Sequence, residues 1–257
     1  MDVTAYLGEL RGNGTLLADA AARGGLDRPV PPCPGWRIRD LLRHTGMVHR
    51  WAAANVTIAR GEPMSADEQR EAVGPFPADE SLVGWFRDGL DALVDVLRTA
   101  DPGVRCWTFM RAPSPLAFWA RRQAHETAIH RVDAESADGT ITPVPAAFAA
   151  DGIDELLISF LPRVLRRTPP AGRPCTLEVH AVDAPRTGRT AWLARLGPES
   201  AGEPSQDGRR QCRVSGGAAD LYLLLWNRRG GSLDGIDVAG DASVLFTWQE
   251  NVQVKWR

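Results

Sequence analysis

Glu126 and His130 stand four positions apart, a spacing that brings both side chains to one face of an α-helix. An imidazole and a carboxylate so placed can share a divalent cation. The pair alone carries little weight: five histidines and 32 acidic residues in 257 positions give about 0.6 such pairs by chance. Without support it reads as a Glu–His hydrogen bond on a helix. His44 supplies the support, because it shares a helix face with Leu41, Val48 and Trp51 and so points inward. A buried histidine needs a partner. In helical bundles metal sites are built from inward side chains on facing helices, and one His from one helix with Glu and His from another makes three ligands. Two imidazoles and a carboxylate suit zinc or another divalent first-row metal, and a fourth position left open marks a catalytic site. The other reading of His44 is a core histidine satisfied by a backbone carbonyl.

The neighbouring residues sort around this trio. His49 lies five positions after His44, and His125 five before His130. Five residues turn a helix by about 140°, so neither pair chelates from one regular helix. HETAIH therefore differs from the HExxH of zinc proteases, and His49 and His125 read as surface or packing residues. Asp133, three positions after His130, either accepts its second ring N–H or stands solvated near a helix end. Arg43, Arg122 and Arg131 are cations that can attract an acidic substrate, with solvated helix faces as the alternative. Cys33 reads as a small packing residue in a Pro-Pro-Cys-Pro-Gly turn. Trp36, Trp51, Trp85, Trp107 and Trp119 read as core and rim of the helical part.

Apolar periodicity predicts the elements that hold these groups. Helices are expected over 3–23, 36–58, 81–99 and 116–135, with a four-proline break at 27–35. Four amphipathic helices in succession read as a bundle. One more helix is expected over 147–167, and then a break at 168–172. Strand-type runs follow at 176–182, 190–196 and 211–214, parted by turn-rich stretches at 183–188 and 197–208. A helix is expected at 218–226, and 244–256 reads as helix or strand. The fold class is α+β: a bundle over residues 1–167 and a small α/β domain over 173–257.

Composition excludes some functions. The net charge of −2 lacks the basic excess of a nucleic-acid-binding domain. The chain has no apolar run that spans a bilayer, and its N-terminus is acidic and polar where a signal peptide is basic and then apolar, so a soluble cytoplasmic protein is expected. Four scattered cysteines suggest reduced thiols rather than disulfides or a zinc knuckle.

The run VPPCPGWRIRDLLRHTGMVHRWA, followed by RRQAHETAIHRVDAE and LYLLLWNRRGGSLDGIDVAGD, resembles the mycothiol-dependent maleylpyruvate isomerase family of actinobacteria. The resemblance implies a DinB-like metal-binding four-helix bundle and a C-terminal domain comparable to sterol-carrier folds. It places the family's metal ligands on His44, Glu126 and His130. A substrate-contacting arginine falls on Arg228, although Trp226-Asn227-Arg228 departs from the usual Trp-Gly-Arg. The implied activity is a mycothiol-dependent isomerase or S-transferase, with a divalent metal, expected to be zinc, activating the thiol toward a small electrophilic substrate. A metal-dependent hydrolase working through bound water and a non-catalytic small-ligand-binding protein are the alternatives.

Overall fold

The helical starts are written in side chains that catch free backbone N–H groups. The computed structural model describes residues 1–167, 174–185, 188–197 and 210–252. Helix α1 (Val3–Gly24) is capped by Asp2, whose Oδ1 accepts the Ala5 N–H at 2.8 Å. Helix α2 (Ile38–Ile58) begins where Asp40 reaches back to the Arg37 N–H at 2.9 Å. Helix α3 (Ala66–Val73) is short and polar, helix α4 (Asp79–Thr99) is amphipathic, and helix α5 (Pro115–Ser136) opens with Ser114 as cap and proline at its first turn. Helices α1, α2, α4 and α5 pack together as the expected bundle. Two compact units are present, Met1–Thr142 and Pro143–Arg257, so the helical segment from 146 groups with the sheet rather than with the bundle.

Helix α5 is unlike its neighbours, because every residue from Arg122 through Glu135 is buried. A helix buried on all sides shows no polar face. Its charged residues are therefore inside and must find partners there. Helices α2 and α4 approach closely at Gly46, where an added Cβ would collide with the Trp85 ring. That ring is in turn covered by the Arg50 guanidinium, 3.8 Å from its centroid.

In the second unit the expected helix 147–167 is observed as α6 (Ala146–Asp154), a π-helical stretch at Glu155–Phe160, and α7 (Leu161–Arg167). Pro162 has no N–H to return to the preceding turn, which accounts for a widened helix just before it. Strands β1 (Cys175–Ala181), β2 (Ala191–Leu196), β3 (Arg210–Gly216) and β4 (Ile236–Gly240) form one sheet in the order β2-β1-β3-β4. The central pair β1 and β3 is parallel, and both outer strands are antiparallel to their neighbours. Alternate residues such as Leu177, Val179, Trp192, Ala194, Cys212 and Val214 face the core. Helix α8 (Ala218–Leu225) starts on Asp183, whose Oδ1 accepts the Ala218 N–H at 2.7 Å, and α9 (Ser243–Asn251) settles the ambiguous C-terminal run as helix. The expected break at 168–172, positions 186–187 of the 183–188 turn, most of the stretch 197–208, and residues 253–256 lie outside the described residues.

Replacing Gly46 with alanine is expected to destabilise the protein by about 1–3 kcal/mol despite alanine's better helix propensity, since the Trp85 ring must be displaced. Denaturant unfolding measures this, and a neutral or stabilising result contradicts the close approach.

Candidate metal centre

Helices α2 and α5 bring His44 against Glu126 and His130. The Nε2 atoms of His44 and His130 lie 3.3 and 3.1 Å from the same oxygen, Oε1 of Glu126. One donor atom from each residue falls within 4.8 Å of the others, a separation that a single divalent cation can bridge. The two imidazoles meet edge to face with centroids 5.1 Å apart. Trp36, at the mouth of α2, packs on both, 5.2 Å from the His44 ring and stacked 6.4 Å from the His130 ring. Side-chain exposure is 9% for His44, 3% for Glu126 and 2% for His130, so His44 marks the more open side.

The groups behind these three fix their orientation. His130 Nδ1 donates to Asp133 Oδ2 at 2.9 Å, the outer-shell arrangement that turns Nε2 toward the centre. Asp133 also accepts from the Cys33 thiol at 3.4 Å. Cys33, read from the sequence as a packing residue in a turn, thus touches the carboxylate that holds His130. The proline-rich turn before α2 delivers both Cys33 and Trp36 to the centre. Their joint role was not legible, because nothing local in that turn indicates which helix it meets.

Two of the three flanking arginines differ from the solvated reading. Arg122 and Arg131 are buried; Arg122 donates to Glu126 Oε2 at 3.2 Å, while Arg131 donates to Glu135 at 2.7 Å and Asn13 at 3.1 Å. Arg43 pairs with Asp79 at 3.0 Å. His49 and His125 are fully buried packing residues, His49 with Nε2 2.8 Å from Thr127 Oγ1 and His125 edge-on to Tyr6. Along α5 from Glu126, about two turns toward its start, Trp119 joins Trp51, Trp107, Phe109 and Phe118 in an aromatic cluster, as core and rim. Arg228 belongs to the second unit, following α8, where its guanidinium donates to the Trp226 carbonyl at 2.8 Å. Asn227 there takes a left-handed φ of 59°, a conformation open to glycine and tolerated by asparagine.

Electrostatics differentiate the groups. Burial pushes the Glu126 carboxyl up, but hydrogen bonds from His130 and His44 and the charge of Arg122 outweigh it, and Glu126 stays ionised. Burial lowers His44 below the ordinary histidine value, against its hydrogen bond to Glu126, leaving the ring neutral. Burial also opposes the charged form of His130, yet its bonds to Asp133 and Glu126 prevail and raise it to about 9. His49, with no carboxylate bonded to it, is driven by burial to about 3.

A helical bundle with a His/Glu/His cluster between two of its helices, followed by a mixed four-stranded sheet with helices, defines an α+β protein with a candidate metal centre in its first unit. The chain belongs to the mycothiol maleylpyruvate isomerase family: residues 7–135 match its N-terminal domain and residues 147–246 its C-terminal domain. Crystal structures of the mycothiol-dependent maleylpyruvate isomerase and of its His-to-Ala mutant each align with a TM-score of 0.64 at 14% identity, covering 93% of both chains. At that identity the likeness is one of fold. No protein of curated function matches the chain. No helix among the described residues is long and apolar enough to cross a membrane.

His49 generates a pH prediction. Its folded value of about 3 lies below the ordinary 6.5, so between these pH values the unfolded chain binds the extra proton and stability falls on acidification. From pH 6.5 to 5 this single group is expected to cost about 2 kcal/mol. Unfolding of His49→Gln across the same range is expected to have a visibly flatter pH slope than the parent protein; parallel slopes contradict the assignment.

Proposed function

We propose that the protein is a mycothiol-dependent isomerase or S-transferase in which His44, Glu126 and His130 hold one divalent cation. Zinc suits two imidazoles and a carboxylate. The supporting observation is the meeting of three donors from helices 82 residues apart, in a chain whose family is named for mycothiol and maleylpyruvate. A divalent cation held by His44, Glu126 and His130 would favour the thiolate form of a thiol that reaches it, where a free cysteinyl thiol with a pKa near 8.5 is mostly protonated at neutral pH.

The chain's own residues prepare that chemistry. Ionised Glu126 offers an oxygen at once and His44 is neutral, while His130, held charged by Asp133 and Glu126, would give up its Nε2 proton to a cation. Asp133 holds the His130 Nδ1–H and keeps Nε2 facing inward. Trp36 covers one side of both imidazoles against water. For isomerisation, the thiolate sulfur bonds to one carbon of a cis double bond conjugated to a carbonyl and the displaced pair moves onto the carbonyl oxygen; the former double bond, now single, rotates, and the pair returns to form the trans double bond as the C–S bond breaks and the thiolate leaves. For S-transfer, the sulfur displaces a leaving group or opens a strained ring instead. The small electrophilic substrate is a maleylpyruvate-like compound or one with an equally activated carbon. A hydrolase asks for a base beside the open position, and Asp133 is committed to His130 and Cys33.

Metal analysis of the purified protein is expected to give one divalent ion per chain, with mycothiol-dependent turnover of cis-enone electrophiles. His44→Ala is expected to lose the ion and to lower that turnover by about two orders of magnitude. Retention of both refutes the proposal, and turnover without any thiol favours the hydrolase. Asp133→Asn is expected to keep the fold but weaken cation affinity by about 10- to 100-fold, measured by competition with a chelating dye; unchanged affinity removes Asp133 from the arrangement.

A further inference from the structure

A carboxylate can offer a cation one oxygen or both, and the two oxygens of Glu126 are not equivalent. Oε1 meets both imidazole Nε2 atoms, at 3.3 and 3.1 Å. Oε2 receives the Arg122 Nη2–H at 3.2 Å, from one helical turn earlier on α5. Both side chains are withdrawn from water, at 2% and 3% exposure. Helix stability accounts for little of the pair, because the base stands before the acid, the weaker of the two orders on a helix. Core stability does not account for it either, since a buried ion pair is commonly no better than an apolar pair of the same volume. What the guanidinium does supply is a permanent charge in a fixed planar fork, aimed at the oxygen that faces away from the histidines.

We propose that Arg122 is a positioning residue that restricts Glu126 to a single donor oxygen, Oε1, and so keeps a coordination position free for an anionic thiol. The inference rests on the cation site proposed above and concerns how that site chooses its incoming ligand. Two consequences follow from the same contact. With Oε2 engaged, the protein contributes three donor atoms rather than four. With Arg122 present, a divalent cation beside the carboxylates of Glu126 and Asp133 retains one net positive charge, and the free position favours thiolate over a neutral ligand. Without the guanidinium the local charge is balanced and that preference weakens.

Cobalt(II) replaces the native ion as a visible probe, and thiocyanate serves as the anionic ligand. The parent protein is expected to bind one cobalt per chain with the intense visible band of a site with few donors. Arg122→Gln, with its fold checked by circular dichroism, is expected to bind cobalt with a band weakened by about twofold or more. Its thiocyanate dissociation constant is expected to rise about tenfold. Arg122→Lys, which keeps the charge but not the fork, is expected to recover the thiocyanate affinity and not the band. A folded Arg122→Gln protein with the parent's band and thiocyanate affinity overturns the proposal. Should neither variant fold, X-ray absorption on the cobalt-loaded parent decides: one carboxylate oxygen at bonding distance supports the assignment, and two overturn it. Failure of the parent to bind cobalt refutes the cation site itself. Cobalt bound by the parent and lost in His44→Ala, with the Arg122 variants unchanged, refutes the role of Arg122 alone.

Discussion

One buried carboxylate oxygen organises the first unit. Glu126 Oε1 stands between two imidazoles, in a place where an isolated negative charge would be costly. The charge persists because partners surround it: His44 and His130 on one oxygen, Arg122 on the other. Each partner needs support of its own. Asp133 and Cys33 stand behind His130, and Trp36 lies against both rings. The rest of the helical unit serves to keep α2 and α5 at the spacing this contact requires, with Gly46 letting α4 close in beside them.

Helix α5 shows what that arrangement costs. It carries Arg122, His125, Glu126, His130, Arg131, Asp133 and Glu135, all buried. Such a helix depends on internal pairing, and much of the pairing is local: Arg122 with Glu126, His130 with Glu126 and Asp133, Arg131 with Glu135. Partners three or four residues apart meet on one face, so the backbone itself sets much of the alignment before the bundle closes. His44 is the member that arrives from elsewhere, which makes the packing of α2 on α5 the step that completes the centre.

How much of this was legible follows the same division between local and distant. The long helices α1, α2 and α4 were readable because apolar spacing marks their inward faces, α5 from its proline-flanked start, and the trio His44, Glu126 and His130 because His44 lies on such a face and the Glu–His spacing lies within one helix. Three of the four strands and helix α8 were readable from period-two runs and an apolar run. Helix α3 was missed although Ser65 and Glu68 form a capping box, because its side chains bury nothing and leave no apolar stripe. Strand β4 was missed because it is five residues long and set among glycines. The burial of Arg122 and Arg131 was out of reach for a different reason. A helix enclosed on every side has no polar face to read, so its arginines look like surface residues until their partners are in place. Cys33 and Trp36 belong to the same class, side chains whose meaning lies in a contact about 100 positions away.

A cation site and a buried hydrogen-bonded triad are the two states open to the cluster of His44, Glu126 and His130. Crystals of the zinc-loaded protein measured on both sides of the zinc absorption edge separate them most directly. One strong anomalous peak is expected, bounded by Nε2 of His44, Oε1 of Glu126 and Nε2 of His130, with Arg122 still on Oε2. An empty cluster with the imidazoles bonded to Glu126, or a zinc peak held by other residues, contradicts the cation site.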